Sequence, residues 1–213
     1  MKRKITLHYD LISPFAHIAL KRLSELGTQV EIVPSPVLLG ALLKHWGQLG
    51  PGEIAPKRRF TYRLSTHLAV RHGIPIHYPP RHPFNPLAAL RILAGADADL
   101  AMVGRAFDFV FGQGRPVDTP EGLAAFAGAI GAPVELAQDE RAKKKLRALT
   151  DEAVARGVFG VPTFDVETAE GGRELFWGVD SIAMLNDWLA DERLFEREPY
   201  AHLERVEVGV VRG

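Results

Sequence analysis

The stretch Asp10–Phe15, with the sequence DLISPF, decides the fold because a strand ends there and a helix begins. Before it, residues 5–9 alternate and are rich in β-formers, which predicts a strand with one buried face. After it, apolar residues recur at helical spacing until Gly27, a residue typical of helix ends. Ser13 is the predicted N-cap of this helix and Pro14 its first residue. The positive end of the helix then points out of the corner beside a hydroxyl group, which favours an anion, although a capped helix without chemistry has the same pattern.

Composition narrows the classes of function. Lys plus Arg and Asp plus Glu are both 26, so the formal net charge is zero and no general attraction to nucleic acid or anionic membranes is expected. No run of about 20 apolar residues indicates a membrane span. The apolar run after the basic start, residues 5–7, is too short for an export signal, so we expect a cytoplasmic protein.

Cysteine is absent from the chain. This excludes disulfide exchange by the protein's own thiols, cysteine nucleophiles and thiolate metal sites. The eight histidines have no spacing typical of a metal site, and neither a phosphate-binding loop nor a dinucleotide fingerprint is present. We therefore expect no bound metal.

The order of predicted elements indicates the fold class. Residues 30–33 are a second strand, ended by Pro34 and Pro36, and the first 35 residues thus form a parallel βαβ unit. From residue 37 to 156 only helical segments are predicted, among them one after residue 56 with Phe60 as its first apolar position and one over 98–111. Two strands joined by a glycine-containing turn and a final helix follow.

This order, β-α-β, a large helical insertion and β-β-α, predicts an α/β protein with a thioredoxin-like fold. We expect residues 1–36 and 157–190 to form the thioredoxin-like domain and residues 37–156 an inserted α-helical domain. The tail, residues 191–213, is expected to pack along the surface.

In a thioredoxin-like fold, the reactive thiol lies where the first strand meets the first helix, because the helix N-terminus stabilises a thiolate. Ser13 stands near that position. Its hydroxyl cannot exchange disulfides, but it can donate a hydrogen bond to the thiolate of another molecule. Glutathione is the natural source of that thiolate.

The fold also predicts a proline, usually after a cis peptide bond, opposite this helix. Val161–Pro162 fits the position, and in cis geometry Val161 would present its N–H and C=O to an extended peptide. An ordinary trans proline that begins an edge strand is the alternative. Asp180 and Ser181 begin the last helix, where a carboxylate beside free amides suits the amino and carboxylate groups of a γ-glutamyl end; Asp180 is also compatible with a simple N-cap.

Six motifs occur in order across almost the whole chain: DLISPF at 10–15, PKR at 56–58, GIP at 73–75, HPFNP at 82–86, VFGVPT at 158–163 and FWGVD at 176–180. The ordered set resembles the 2-hydroxychromene-2-carboxylate isomerases, relatives of the kappa-class glutathione transferases within the DsbA-like thioredoxin superfamily. The resemblance implies that Ser13 is catalytic and contacts the sulfur of glutathione. It further implies glutathione contacts from Pro14, Lys57, Val161, Pro162, Asp180 and Ser181, and substrate contacts from Phe15, Arg58 and Asn85.

The implied reaction belongs to aromatic catabolism. The glutathione thiolate adds to an unsaturated aryl 2-oxo acid, the transient single bond rotates, and elimination changes the double-bond geometry. Two departures bear on the substrate: Ser181 stands where an arginine commonly follows the aspartate, and Leu64 where an aspartate is often found. A homodimer is the implied assembly. A kappa-like glutathione transferase or peroxidase and a non-catalytic peptide-binding protein are the alternatives.

Overall fold

The structure is a computed structural model that describes residues 2–210, apart from the side chain of residue 204. Residue 1 and residues 211–213, the end of the predicted tail, lie outside the described residues. Within the described range, no helix is both long enough and apolar enough to cross a membrane.

Four strands form one mixed sheet in the order β2-β1-β3-β4. β1 (Arg3–Tyr9) pairs in parallel with β2 (Val30–Pro36) and antiparallel with β3 (Thr163–Glu167), and β3 forms a hairpin with β4 (Arg173–Trp177). β1 therefore lies inside the sheet, and the corner that follows it is flanked by neighbours on both sides. The predicted βαβ unit, hairpin and thioredoxin-like fold are confirmed.

β2 continues through the two prolines that were predicted to end it. The N–H of Val37, just after the strand, donates to the carbonyl of Tyr9 at 2.9 Å. Because N–H directions alternate along a strand, Pro34 and Pro36 face the open edge of the sheet instead of β1. A proline at this edge removes no hydrogen bond from the ladder, so the strand tolerates both.

α1 (Pro14–Lys21) ends earlier than predicted, because the backbone of Arg22 leaves the helical region. A 3₁₀ turn (Leu23–Leu26) continues the chain to Gly27, whose φ is +73°. The tighter turn still buries Leu26 against the core. The predicted start is confirmed, since the Ser13 side chain caps the helix and Pro14 is its first residue.

Between residues 37 and 156 the chain is helical, as predicted. The helices are α2 (Leu39–His45), α3 (Ala55–Arg71), α4 (Leu87–Gly95), α5 (Leu100–Phe107), α6 (Pro120–Ile130) and α7 (Glu140–Ala155). After the hairpin, a 3₁₀ turn (Val179–Ser181) leads into α8 (Ile182–Ala190).

Two predictions within the helical region are wrong in part. The helix predicted over 98–111 changes after Phe107 into a π-helical turn (Asp108–Gly112), whose extra residue rotates the following side chains so that Phe109 and Phe111 are both buried. α3 buries only Ser65 and Ala69 completely, and Phe60, one of the apolar positions of the predicted helix, is 63% exposed.

One continuous hydrophobic core joins the sheet to the helical region, with members from β1, α1, α4, α5, α6, β3, β4 and α8. A smaller cluster lies beside it, where Val161 packs with Leu42 of α2, Ala153 of α7 and the residues that follow β2 and α7, Val37 and Val158. This cluster anchors the side chain of Val161, and therefore its backbone, next to the first strand-helix corner.

The sheet also carries a buried carboxylate. Asp165 on β3 accepts hydrogen bonds from Arg156 at 3.0 Å and Arg173 at 2.8 Å, and lies 3.4 Å from Nε2 of His8 on β1. Burial alone would raise the pKa of Asp165, but these three partners lower it to about 2. Asp165 thus ties β1, β3, β4 and the end of α7 together as an ionised group.

Candidate functional site

The corner after β1 holds Ser13 in a defined orientation. The Ser13 N–H donates to the carbonyl of Asp10 at 3.0 Å, and its Oγ accepts from the N–H of Ala16 at 3.2 Å. Pro14 follows as the first residue of α1 and is buried, so it offers an apolar surface and no donor. The side chain of Phe15 is half-buried, and its N–H has no acceptor within residues 2–210.

The peptide bond Val161–Pro162 is cis, as predicted, and faces this corner. The Ser13 hydroxyl donates to the carbonyl of Val161 at 3.5 Å, a long and weak contact. The carbonyl of Pro162 is already taken by the N–H of Gly178 at 2.9 Å. In contrast, the N–H of Val161 donates to no group in the described part of the chain.

These two elements together form a small anion site beside an open backbone edge. The Ser13 proton has only the 3.5 Å contact to Val161, so it can turn toward a negatively charged atom. The N-terminus of α1 favours the same charge. Among residues 2–210, no group of acidic or histidine side chains is arranged to hold a metal ion.

Asp180 and Ser181 lie next to the cis-proline segment, because Gly178 links the two. The carboxylate of Asp180 is exposed, and no hydrogen bond or ion pair engages it within the described residues. Ser181 is buried, and its hydroxyl donates to the carbonyl of Gly178 at 2.8 Å. Ser181, not Asp180, occupies the N-cap position of α8, so the simple N-cap interpretation of Asp180 is wrong.

Lys57, Arg58 and Asn85 are not joined to Ser13 by any hydrogen bond among the described residues. Lys57 is exposed in the first turn of α3, and Arg58 donates from Nη1 to the carbonyl of Gly52 at 3.1 Å. Asn85 is exposed, and its Oδ1 accepts from the N–H of Leu87 at 3.0 Å at the start of α4. The structure therefore places them on neighbouring loops and helix starts, while their roles stay predictions.

Asp10, a residue without a predicted role, lies at the base of the corner. This side chain is fully buried, and its two oxygens accept from the N–H groups of Ile12 at 3.0 Å and Leu39 at 2.8 Å. Burial raises its pKa to about 7 against the opposing effect of these two bonds. The sequence does indicate such a role, because an acidic residue directly after a buried strand needs hydrogen-bond partners close by.

The cis-proline segment is also bordered by exposed aromatic rings that the sequence reasoning did not assign. Phe159 and Trp177 pack with ring centroids 5.2 Å apart and are 37% and 53% exposed. Trp46, after α2, donates from Nε1 to the carbonyl of Val158 at 3.0 Å. An apolar surface thus lies directly beside Val161.

Residues 4–190 match the family model described as the DSBA-like thioredoxin domain. The chain belongs to the DSBA-like thioredoxin family. This DSBA-like protein is 25% identical over 202 residues to a 2-hydroxychromene-2-carboxylate isomerase of Sphingobium xenophagum, covering 90% of this chain and 100% of that protein. It is 28% identical to a Pseudomonas putida protein of the same name, covering 85% and 91%, and 24% identical to glutathione S-transferase kappa 1 of Caenorhabditis elegans, covering 87% and 90%. The predicted resemblance is confirmed.

Solved structures agree on the fold of this DSBA-like protein. A 2-hydroxychromene-2-carboxylate isomerase superposes with a TM-score of 0.75 at 24% identity, covering 96% of this chain and 100% of that chain. A probable DsbA oxidoreductase from Streptomyces coelicolor gives 0.64 at 17% identity, covering 98% and 94%. Because this chain contains no cysteine, it has no thiol of its own for disulfide exchange.

Proposed function

We propose that the chain is a glutathione-dependent cis/trans isomerase for 2-hydroxychromene-2-carboxylate or a similar unsaturated aryl 2-oxo acid in aromatic catabolism. The observation that carries the proposal is Ser13 at a helix N-terminus, facing the cis Val161–Pro162 bond in a chain without cysteine. When bound, glutathione would supply a thiol that adds to the substrate double bond and leaves again after rotation.

The groups around the corner fit a thiol-bearing tripeptide. The unpaired N–H of Val161 and its weakly engaged C=O provide the donor and acceptor that an extended peptide needs for strand-like pairing. The exposed carboxylate of Asp180 suits the ammonium group of the γ-glutamyl end. The Ser13 hydroxyl and the N–H of Phe15 lie together at the positive end of α1 for the sulfur.

Each residue has a defined task in this reaction. The Ser13 hydroxyl donates a hydrogen bond to the sulfur anion and keeps its own proton, and the dipole of α1 stabilises the same charge, so the thiol of glutathione stays ionised near neutral pH. Lys57 or Arg58 holds the substrate carboxylate; Arg58 retains N–H donors beyond the one bonded to Gly52. The exposed faces of Phe159 and Trp177 support an aryl substrate.

The direct test mixes the purified protein with 2-hydroxychromene-2-carboxylate and follows its ultraviolet spectrum. We expect isomerisation with glutathione and none with S-methylglutathione, which has the same backbone but no free thiol. A substrate that stays unchanged in the presence of glutathione contradicts the proposal.

Ser13→Ala removes the hydroxyl that faces the sulfur. We expect kcat to fall about 100-fold, as for the loss of one donor to a developing anion, with glutathione still bound through Val161 and Asp180. Ser35→Ala is the matched control, because Ser35 is a buried serine on β2 outside the corner. Equal rates for the unaltered protein and Ser13→Ala would remove Ser13 from the mechanism.

A kappa-like transferase or peroxidase is the second candidate, supported by the similarity to the Caenorhabditis elegans kappa 1 protein. Turnover of aryl halides or hydroperoxides without isomerisation would favour it. Peptide binding by calorimetry without glutathione binding would favour a non-catalytic protein. We also propose the homodimer that the family resemblance implies, and sedimentation of the purified chain tests it.

A further inference from the structure

His82 connects the Ser13 corner to α3. Its Nε2 lies 2.8 Å from the carbonyl oxygen of Ile12, and its Nδ1 lies 3.0 Å from the hydroxyl of Tyr62. The single proton of that hydroxyl points to the carbonyl oxygen of His82 itself at 2.6 Å, so Nδ1 can share this proton only as a second, weaker acceptor. Because a carbonyl oxygen only accepts, Nε2 must carry the proton that Ile12 receives. The partners therefore assign the tautomer, with the ring donating toward the corner.

The imidazole ring is packed so that it has little freedom to turn. Four aromatic rings surround it in edge-on geometry with centroids 5.2–6.0 Å away: Tyr62, Tyr78, Phe84 and Phe111. Tyr78 is held in turn by a 2.6 Å hydrogen bond with Ser65 of α3. Burial lowers the pKa of His82, although the bond to Ile12 opposes this effect, and the lowered pKa favours the neutral ring.

Both polar groups of Ile12 are thus fixed from opposite elements. Its N–H donates to Asp10, and its C=O accepts from His82. The peptide plane between Ile12 and Ser13 carries this C=O and also the N–H of Ser13, which donates to the carbonyl of Asp10 at 3.0 Å. It cannot rotate without breaking these bonds, and it fixes the backbone from which the Ser13 side chain projects. We propose that His82 is a positioning residue that orients the Ser13 hydroxyl toward the sulfur through the carbonyl of Ile12. This inference rests on the proposed function.

The same ring links the corner to the residues proposed to hold the substrate. Tyr62 lies one helical turn after Arg58 on α3, so the bond between Tyr62 and His82 sets the distance between the start of α3 and Ser13. His82 therefore positions the sulfur site and the substrate carboxylate site relative to each other. This histidine belongs to the HPFNP motif, in which only Asn85 has a predicted role in substrate binding.

Two amide substitutions separate the bonds of His82. The longer side chain in His82→Gln can place an N–H near the position of Nε2 and keep the bond to Ile12. The shorter side chain in His82→Asn reaches only the position of Nδ1, near Tyr62. His77→Gln and His77→Asn are matched controls, since the His77 side chain is exposed and bonds to nothing in the described structure.

We expect His82→Asn to lower kcat about 10- to 100-fold, because misplacing a reacting group costs this much, with little change in the KM for glutathione. The ultraviolet absorbance of the bound thiolate should show its pKa rising toward the value of free glutathione. His82→Gln should restore most of both values. A purely structural role predicts equal losses for the two variants and no change in thiol pKa, and either result overturns the proposal.

Two nuclear magnetic resonance measurements decide the inference even if the protein catalyses no isomerisation. Imidazole nitrogen shifts should show a proton on Nε2 of His82, and an unprotonated Nε2 overturns the bond to Ile12. Couplings of the Ser13 β-protons should report one rotamer in the unaltered protein and in His82→Gln, and an average in His82→Asn. A single rotamer in all three proteins overturns the positioning role, whereas failure of the proposed function alone leaves these signals intact.

Discussion

At the scale of single residues, Asp10 gives the corner a predictable pH dependence. Its buried carboxyl group has a pKa of about 7 in the folded chain against an ordinary value of 3.8. Between about pH 4 and pH 7, the folded protein therefore keeps a proton on Asp10 that the unfolded chain has lost. The stabilising effect of the protonated Asp10 is full below about pH 4 and is lost as the pH rises to 7. The difference between the two pKa values corresponds to a change of at most about 4 kcal/mol in the free energy of unfolding.

Asp10→Asn removes this titration. We expect the urea midpoint of the unaltered protein to fall between pH 4 and pH 7 more steeply than the midpoint of the variant, because the amide stays neutral throughout. Equilibrium unfolding at several pH values measures both slopes. Parallel curves would show that Asp10 keeps an ordinary pKa in the folded protein.

At the scale of elements, Asp165 is where β1, β3, β4 and α7 meet. Asp165→Ala leaves Arg156 and Arg173 without their buried acceptor, and we expect a loss of about 2–3 kcal/mol in the free energy of unfolding. The value is moderate because the two arginine side chains are 26% and 37% exposed and can be hydrated in the variant.

The pH dependence of this loss has a definite sign. The pKa of Asp165 is lowered to about 2, so its stabilising effect is present above about pH 4 and disappears as the pH falls toward 2. The difference between the variant and the unaltered protein should therefore shrink in acid. A difference that is the same at pH 7 and pH 2.5 would contradict the ionised network.

The packing of α4 against α7 depends on Gly95. A Cβ added there would lie 2.8 Å from the Cβ of Ala142, so Gly95→Ala must push the helices apart, at about 1–3 kcal/mol. Gly128→Ala on α6 is the control, because nothing lies within 4 Å of the added atom. Alanine suits a helix better than glycine, so we expect this control to gain up to about 1 kcal/mol. Chemical denaturation of both variants checks that the two substitutions change the free energy of unfolding in opposite directions.

At the scale of the whole molecule, the continuous core couples the sheet to the helical region that the sequence set apart at residues 37–156. We expect one cooperative unfolding transition, with the same midpoint by far-ultraviolet circular dichroism and by tryptophan fluorescence. Trp188 in α8 and Trp46 after α2 report on the two regions. Two separate transitions would show instead that the predicted inserted domain unfolds independently.

The sequence was most informative where local chemistry decides the structure. Ser13 and Pro14 predict the start of α1, because caps depend on a few neighbouring residues. The cis Val161–Pro162 bond was predictable only after the fold class was known. Tertiary contacts decided the rest. Phe60 follows the helical pattern of α3, but no element within residues 2–210 covers it. The partners of His82 lie 20 and 70 residues away in the sequence.

The placement of Pro34 and Pro36 on the outer edge of β2 has a consequence for association between chains. An edge strand with a full row of free donors can be extended by a strand from another molecule, which is the first step toward insoluble aggregates. Here two of the outward positions have no hydrogen to donate. During synthesis β2 emerges long before β3, and a neighbouring nascent chain meets an edge on which it cannot complete a ladder.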